Sequence, residues 1–339
     1  MTKSTIKDVA RAAGVSVATV SMALNNRTGV NAETRKRVLQ VARSMNYVPS
    51  YSAQSLVTQE SNCVGLLIPE IQNPFYDAIV DIISHLAEKH GFTLLLGITN
   101  NSVEQEEKYI RFFLSRRVQG VIAIPILNKA GSGRPLDLLR AANVPIVFCT
   151  ERYNDSREPV VMCDFVEGEY AITKFLIDRG LKDFWYVSVD TDAQYAALRY
   201  EGYARALREA GISVRPEREL RIDLPNYERA YEQAIRFVED RPEAIVCIND
   251  IMTMAIIKRL REEGLRVPED ISVVGFDDIM FSSLVYPPLT TVHQPISEIC
   301  ERTIALLLDI IAERPGGQGA PEDGVYLIAP HLVIRETTI

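Results

Sequence analysis

The sequence predicts an α/β protein in which a small all-helical module precedes a larger body with two lobes. Two observations support this fold class. Residues 6–45 hold three segments with helical apolar spacing, whereas short apolar runs alternate with helical segments from residue 63 onward. The chain has 339 residues, 47% of them hydrophobic, which is enough for more than one hydrophobic core.

The first two predicted helices are separated by a tight turn. The first has an apolar stripe at i, i+3, i+4 and i+7, formed by Ile6, Val9, Ala10 and Ala13. Gly14 ends this helix, and the side-chain oxygen of Ser16 offers a cap for the next one. The buried stripe of the second helix consists of Val20, Ala23 and Leu24. The pattern is therefore helix, turn, helix.

The outer face of the second helix, opposite its buried stripe, is small, neutral and hydroxyl-bearing. It carries Ala18, Ser21, Met22 and Asn25, with Val17 at its flank. A purely structural surface helix usually shows Lys and Glu there, whereas this face suits the base edges of a major groove. The alternative is a helical hairpin that binds nothing.

Charge is distributed unevenly along the chain. Residues 1–60 carry a net charge of +5 and the whole chain −8, so residues 61–339 carry −13. The asymmetry indicates a basic module for a polyanion, joined to an acidic body that would not bind one. The run Arg35-Lys36-Arg37 suits phosphate contacts, which position a protein on DNA without specifying sequence. Its alternative role is a solvated helix face.

A third helix follows, capped by Asn31, and its apolar stripe completes a three-helix core. The stripe consists of Val38, Val41, Ala42 and Met45. After the Tyr47-Val48-Pro49 sequence, the segment 50–59 has no stripe wide enough to bury and is too short for a stable isolated helix. We expect it to be a hinge that orders only when something holds it.

The body shows strands alternating with helical segments. The predicted strands are 63–68, 93–98, 120–124, 145–149, 184–189, 244–248 and 271–276. Continuous apolar strands in such an alternation indicate parallel sheets covered on both faces. Two such sheets imply two lobes with a cleft between them, and ligands of open α/β sheets bind outside the carboxyl ends of the strands.

The composition also excludes several classes of protein. Charged residues interrupt the first turns, and no apolar run approaches the roughly 18 residues that span a bilayer, so we expect a cytoplasmic protein without a membrane partner. Five scattered cysteines without CxxC spacing indicate reduced core thiols, and no metal or cofactor is expected. No GxSxG, P-loop or zinc motif is present, and the acidic pair Asp277-Asp278 is distant in sequence from His293. We therefore expect no enzymatic activity.

Motifs spread over nearly the whole chain carry a family resemblance. They are TIKDVARAAGVSVATVSMALN at 5–25, YVP at 47–49, AQSL at 53–56, NPFY at 73–76, Arg199 with Gly202-Tyr203, Asn249-Asp250, VPEDISVVGFDD at 267–278 and PPLTTVHQP at 287–295. With these motifs, the chain resembles the LacI/GalR (lac repressor) family of bacterial transcription regulators. Any one motif alone would be weak, but the set is highly specific.

The resemblance implies a helix-turn-helix DNA-binding headpiece at 1–49, a hinge helix or linker at 50–60, and an effector-binding and dimerisation domain at 61–339. The last of these is expected to be a two-lobed α/β domain similar to type I periplasmic sugar-binding proteins. Its N-subdomain is expected at about 61–162 plus 294–324, and its C-subdomain at about 163–293 plus 325–339. Such regulators act as dimers on near-palindromic double-stranded operators.

By the same resemblance, Val17, Ala18 and Met22 occupy the positions that read bases. Many family members have Arg at the position of Met22, and Met offers only apolar contact where Arg would contact guanine, so the base read there stays open. Leu56 resembles a wedge that enters the minor groove and kinks the DNA, and packing on the body is its alternative. The candidate DNA-binding residues are Thr5, Ser16, Val17, Ala18, Ser21, Met22, Asn25, Ala53 and Leu56.

The resemblance also implies an effector site. Arg199, Asn249 and Asp277 take positions that hold the polar edges of a small ligand, and Phe75 and Tyr76 take positions where rings stack on it. This set suits a sugar or a similar polyol. A purine or an amino compound stays open, because the loop 189–199 is unusually acidic and aromatic. Each residue also has a structural alternative, such as an internal ion pair for Arg199 or a core position for Phe75.

Two functions follow from these observations. An effector-responsive, sequence-specific DNA-binding regulator, acting as a homodimer and most simply as a repressor, explains every segment. A small-molecule binding protein without a DNA-binding role would share the two-lobed body but would not carry a basic headpiece. The sequence leaves open whether the ligand releases the protein from DNA or is required for binding.

Overall fold

The computed structural model describes residues 4–24, 28–47, 61–127, 134–223, 225–312, 321 and 323–339. The chain divides into two compact units, Met1–Ser61 and Asn62–Ile339. This division lies next to the expected boundary between hinge and body. The sequence-based assignments outside the described residues are the hinge at 50–60, Ala53, Leu56 and Asn25.

The first unit, over its described residues, has a three-helix core. Its helices are α1 (Ile6–Ala13), α2 (Val17–Leu24) and α3 (Ala32–Ser44). The buried side chains are Val9, Ala10, Ala13, Val20, Ala23, Val38 and Ala42, and the partly buried Ile6, Leu24, Val41 and Met45 pack against them. The three predicted apolar stripes are therefore confirmed.

Local chemistry sets the ends of these helices. The Thr5 hydroxyl oxygen accepts from the Asp8 amide, and the Asp8 carboxylate accepts from the Thr5 amide at 3.0 Å, which forms a capping box. Gly14 ends α1 at φ 64°, a left-handed conformation that glycine adopts without steric cost. Asn31 accepts from the Thr34 amide at 2.8 Å and caps α3, as predicted.

Within its described residues, the second unit contains two six-stranded sheets, one in each lobe. The strands of the first sheet are β1 (Cys63–Ile68), β2 (Thr93–Ile98), β3 (Gly120–Ala123), β4 (Ile146–Cys149), β5 (Val160–Cys163) and β11 (Val325–Ile328). The strands of the second sheet are β6 (Phe184–Val189), β7 (Glu219–Ile222), β8 (Ala244–Cys247), β9 (Ser272–Asp277), β10 (Thr290–His293) and β12 (His331–Val333). All seven predicted strands are present.

The strand order is β11-β5-β4-β3-β1-β2 in the first sheet and β12-β10-β9-β8-β6-β7 in the second. Paired strands in the described ranges are parallel, except that β12 runs antiparallel to β10. Parallel pairing requires crossover connections, which here are mostly helical. The sheets therefore carry helices on their faces, as predicted.

The helices of the second unit are divided between the two lobes. Those that pack in the first lobe are α4 (Pro74–Lys89), α5 (Val103–Ser115), α6 (Asp137–Ala141) and α12 (Ile296–Ile311). Those that pack in the second lobe are α7 (Phe165–Asp178), α8 (Gln194–Glu209), α9 (Tyr227–Gln233), α10 (Ile235–Asp240) and α11 (Asp250–Glu262). Short 3₁₀ turns at Arg134–Leu136, Pro216–Arg218 and Met280–Ser283 complete the described helical segments.

One expected subdomain boundary is wrong. The range 325–339 is expected in the second lobe, but β11 pairs with β5 in the first sheet, from Val325 beside Val160 to Ile328 beside Cys163. Pro330 interrupts the apolar run, and the chain joins the second sheet only at β12. An edge strand with half-exposed side chains carries no sequence signal that assigns it to one lobe rather than the other.

A glycine allows two helices of the second lobe to approach closely. A Cβ atom on Gly202 of α8 would overlap the carbonyl oxygen of Val166 on α7. This position therefore requires glycine if the two helices are to keep their separation. The contact fixes the part of α8 that carries Arg199, three residues earlier.

Among the described helices, none is both long enough and apolar enough to cross a bilayer. The described Cys, His, Asp and Glu side chains form no group of three or more placed to hold a metal ion. Cys149, Cys163, Cys247 and Cys300 are buried thiols. These four thiols belong to the hydrophobic cores of the lobes.

Candidate functional site

The outer face of α2 lies in solvent, as predicted. Val17 is 40% exposed and Ala18 is also exposed, whereas Val20 and Ala23 on the opposite side are buried in the three-helix core. Met22 is half-buried, and its side chain reaches towards the backbone of Gly29. The described outer face therefore presents small and apolar side chains without charge.

Two candidate DNA contacts also act as helix caps. The Thr5 hydroxyl donates to the Asp8 carboxylate at 2.6 Å, and the Ser16 hydroxyl oxygen accepts from the Thr19 amide at 3.1 Å. Both residues are exposed at helix N-termini, where free backbone amides favour anions such as phosphate. Ser21, a further candidate, is half-buried on α2.

A cleft opens between the two lobes, at the carboxyl ends of strands from both sheets. The volume between its walls, including a part that is open to solvent, is about 540 Å³. The lining residues are Glu70, Asn73, Phe75, Tyr76, Leu127, Thr150, Glu151, Phe165, Tyr195, Arg199, Pro225, Ile248, Asn249, Asp277 and Gln294. The structure thus brings all five predicted effector-binding residues into one cavity.

Arg199 lies on α8 at the floor of the cleft and is only 4% exposed. Its guanidinium centre lies 3.8 Å from the ring centroid of Phe276 and 4.6 Å from that of Phe165. Its Nη2 atom lies 3.6 Å from Oδ1 of Asp277, and Nη1 donates to the carbonyl oxygen of Ile248. The ion pair considered for Arg199 is therefore present, and it lies within the cleft.

Asp277 ends β9 in an unusual backbone conformation. Its φ angle is 126°, a region that L side chains rarely adopt, and Thr150 after β4 has φ 69°. The Asp277 carboxylate accepts from the side-chain amide of Gln294 at 2.7 Å. Burial raises the pKa of Asp277, and the charge of Arg199 opposes this rise. This strained backbone conformation places a buried carboxylate at the edge of the cleft.

Asn249 has a structural role that limits what it can offer a ligand. Its side-chain oxygen accepts from the Met252 amide at 2.8 Å and caps α11. The oxygen is therefore occupied, and its NH₂ group is the part that is left for a ligand. The neighbouring Asp250 is fully buried and accepts from the hydroxyls of Ser282 and Thr291, each at 2.6 Å. Through the Ser282 bond, Asp250 joins the loop after β9 to the start of α11.

The two predicted aromatic residues lie at the start of α4. Asn73 caps this helix by accepting from the Phe75 amide at 3.0 Å, and Pro74 occupies its first turn. The rings of Phe75 and Tyr76 meet edge to face at 5.4 Å between centroids. Phe75 is largely buried in the first-lobe core, whereas Tyr76 is half-buried against the cleft. The core position considered for Phe75 is therefore present as well.

The structure adds lining residues that the sequence analysis does not assign to the site. Glu70 lies two residues after β1, Glu151 two residues after β4, and Gln294 directly after β10. Phe165 and Tyr195 contribute rings from the starts of α7 and α8. The signal for the three polar residues is their position, because ligands of open α/β sheets bind at the carboxyl ends of strands.

Buried acidic groups dominate the electrostatics of this region. Burial raises the pKa of Glu151 to about 8, and Arg199 acts in the opposite direction. Glu169, on α7 behind Arg199, has its pKa raised to about 8 for the same reason. Burial also raises the pKa of Glu70. Neither carboxylate oxygen of Glu169, nor Oε2 of Glu151, has a hydrogen-bond partner among the described residues.

Comparison with known proteins places this geometry in a family. The family model for bacterial regulatory proteins of the lacI family matches residues 5–50, and the model for a periplasmic binding protein-like domain matches residues 173–338. The HTH-type transcriptional repressor PurR of Pasteurella multocida (strain Pm70) is 34% identical over 337 residues, which cover 98% of this chain and 98% of that protein.

Solved structures agree with these matches. The lac repressor dimer bound to operator and the anti-inducer ONPF is 27% identical to this chain, covers 100% of both chains and has a TM-score of 0.86. The transcriptional regulator CelR in complex with cellobiose is 25% identical, covers 99% of this chain and 100% of its own, and has a TM-score of 0.73. The fold is the LacI-type helix-turn-helix followed by a two-lobed periplasmic-binding-protein-like domain. The chain is a transcription regulator and belongs to the lacI family of bacterial regulatory proteins.

Proposed function

We propose that this chain is a repressor that binds a near-palindromic operator as a homodimer and is switched by a sugar or similar polyol in the cleft. The main support for a sugar or polyol effector is the set of side chains that line the cleft. Arg199, Asp277, Gln294 and the Asn249 amide offer donors and acceptors, and aromatic rings lie beside them. Hydroxyl groups need both donors and acceptors, and sugar rings present apolar faces to aromatics. The cellobiose complex of CelR supports this class of ligand.

The DNA-binding part of the proposal rests on the headpiece. Val17 and Ala18 are exposed, and with Met22 they read bases in the major groove. Thr5, Ser16, Ser21, Asn25 and Ala53 contact the same operator, and Leu56 contacts its minor groove. Leu56 acts there as a wedge, so Leu56→Ala should weaken operator binding and reduce DNA bending. Unchanged bending in a fluorescence-transfer assay would remove Leu56 from this role.

An exposed apolar segment supports a homodimer. Met280, Leu284 and Tyr286 of the second lobe are 66%, 68% and 75% exposed. A cluster of large apolar side chains in water is typical of an interaction surface, and a twofold dimer would cover it on both subunits. Sedimentation of the full chain should give a dimer, and Leu284→Asp should shift it towards a monomer. A monomeric wild-type protein would contradict the proposal.

The decisive experiment combines DNA and ligand binding with the full chain. Selection from random DNA should return a near-palindromic site, and its affinity should fall steeply with salt, because phosphate contacts release counterions. A thermal-shift screen should then find a sugar or polyol that raises the melting temperature by mass action and changes the operator affinity. Salt-independent DNA binding, or a shift by purines alone, would overturn the corresponding part of the proposal.

A further inference from the structure

We infer that the effector of this protein carries a positively charged amino group, which Glu151 and Glu70 hold, in addition to its hydroxyl groups. The inference rests on the proposed effector role of the cleft and specifies its ligand further. Three features of the cleft support it: carboxyl groups outnumber cations, one buried carboxyl group has an unsatisfied oxygen, and aromatic rings lie around it.

The carboxyl groups that line the cleft outnumber the cationic side chains among its described lining residues. Among the described lining residues, Arg199 is the only Lys, Arg or His, and the Asp277 carboxylate already lies 3.6 Å from it. Glu70 and Glu151 remain, and the charge of Arg199 acts on Glu151 from a distance, but no ion pair joins either carboxyl group to a Lys, Arg or His of the described chain. The cleft therefore holds two carboxyl groups that are not engaged in an ion pair and could each receive a cationic group of a ligand.

Glu151 is the group that points most directly to a ligand. It is 7% exposed, it lines the cleft, and its Oε2 atom has no hydrogen-bond partner among the described residues. Buried polar atoms in native proteins are almost always paired, and an unpaired one requires an explanation. A ligand that donates from a charged amine would satisfy this oxygen with a strong, charge-assisted hydrogen bond.

The surroundings of Glu151 favour an ammonium group over a metal ion. No three Cys, His, Asp or Glu side chains of the described chain are placed to bind a metal. The rings of Tyr76, Tyr195 and Phe165 line the same cavity, and aromatic faces attract ammonium groups through their quadrupoles. Carboxylates together with aromatic rings form the type of cage that binds organic cations.

Binding of a cationic ligand should also change the protonation of Glu151. Burial raises the pKa of Glu151 to about 8, so the side chain is largely protonated near neutral pH without ligand. An ammonium group beside it favours the carboxylate, so binding should release a proton, and the affinity should rise by up to tenfold per unit from pH 6 to 7, where the amine of the ligand keeps its own proton. The charged or titratable groups near Glu151 are Arg199, Tyr195, Tyr76, Tyr153, Glu70 and Asp277.

Matched pairs of sugars test the inference on the full chain by calorimetry. The probes are D-glucose, D-galactose and D-mannose, each compared with its 2-amino and its N-acetylated 2-amino counterpart. At least one amino sugar should bind ten times more tightly than its neutral sugar and its N-acetyl form. Titration in buffers of different ionisation enthalpy at pH 7 should show proton release with the amino sugar alone.

Two variants assign the effect to the cleft. Glu151→Gln should weaken amino-sugar binding at least tenfold and abolish proton release, and Glu70→Gln should act in the same direction. Glu239→Gln, an exposed site on α10, is the matched control and should change neither. Circular dichroism verifies the fold of each variant.

The outcomes separate the inference from the proposed function. If a neutral sugar binds as tightly as its amino counterpart, or if Glu151→Gln retains amino-sugar affinity, the inference is overturned while the sugar-type effector stands. If none of these sugars binds, both the inference and the sugar-type effector are overturned. Tight amino-sugar binding that depends on Glu151 and releases a proton supports both.

Discussion

The carboxylate of Asp277 lies 3.6 Å from the guanidinium of Arg199, and both side chains are buried in the second lobe. The pair joins α8 to the end of β9, and the ring of Phe276 covers the guanidinium at 3.8 Å. Burial removes both charges from water, so neither is stable there without the other. The same pair lines the cleft between the lobes, so it belongs both to the fold and to the candidate site.

Removal of one partner of this pair should therefore be costly. Arg199→Leu should lower the free energy of unfolding by about 3–5 kcal/mol, because Asp277 is left buried without its cation. The double variant Arg199→Leu/Asp277→Asn should recover part of this loss. Urea unfolding of the full chain, followed by fluorescence of Trp185 in the second lobe, measures the effect.

A surface arginine provides the control for this prediction. Arg229 pairs with Asp223 and Glu232 at 3.1 Å, and all three side chains are well exposed. Exposed ion pairs contribute little to stability, so Arg229→Leu should leave the unfolding curve nearly unchanged. An equal loss in the two Arg→Leu variants, or no recovery in the double variant, would mean that the buried pair does not stabilise the second lobe in this way.

The two roles of Asn249 can be separated by a serine. Serine caps helices about as well as asparagine but lacks the NH₂ group, so Asn249→Ser should change the free energy of unfolding by less than about 0.5 kcal/mol. Its affinity for the effector should nevertheless fall at least tenfold. Asn249→Ala, which also loses the cap, should be destabilised by about 1 kcal/mol. The affinities are measured by calorimetry. If the serine variant retains full affinity, the NH₂ group of Asn249 has no role in effector binding.

Six of the seven predicted strands are buried along most of their length. The run CVGLLI at 63–68 is almost continuously buried, and its apolar character signals a central parallel strand. The strands outside the predicted set include β5, which is short and fully buried, and β7, which has the sequence ELRI. In β7, Glu219 and Arg221 alternate with buried Leu220 and Ile222. A short edge strand with charged residues facing solvent resembles a loop in sequence. Its identity comes from pairing with β6, which sequence alone does not show.

The site was predictable where single residues lie in recognisable motifs. Arg199 and Asp277 belong to such motifs, and the structure places them together. Glu70 and Glu151 do not, because their role depends on the convergence of β1 and β4 at one edge of the first sheet. The capping role of Asn249 follows from the start of α11, which places a polar side chain at a helix N-terminus.

Stability should fall as the pH rises from about 5 to 8. Burial raises the pKa of Glu169 to about 8, while the unfolded chain titrates near 4.5. Between these values the folded protein keeps a proton that the unfolded chain has lost, so each pH unit removes up to about 1.4 kcal/mol per such group. Glu151 acts in the same direction.

Glu169→Gln tests this prediction, because glutamine is nearly isosteric and does not titrate. The variant should show a shallower decline of unfolding free energy between pH 5 and 8 than the wild-type protein, whereas exposed Glu239→Gln should keep the wild-type slope. Urea midpoints measured at several pH values provide the comparison. A wild-type slope in Glu169→Gln would show that Glu169 does not hold its proton in the folded state.

The base preference of the headpiece should depend on Met22. Met22 is half-buried on the outer face of α2, and its thioether offers only apolar contact, for instance to a thymine methyl group. Met22→Arg introduces a side chain that contacts guanine through two hydrogen bonds, so operator selection should return guanine at one position in each half-site. The preference should amount to about 1–3 kcal/mol per half-site. Met22→Leu is the apolar control and should keep the wild-type preference. If both variants select the wild-type operator, Met22 does not face the bases, and Val17 and Ala18 must carry the readout.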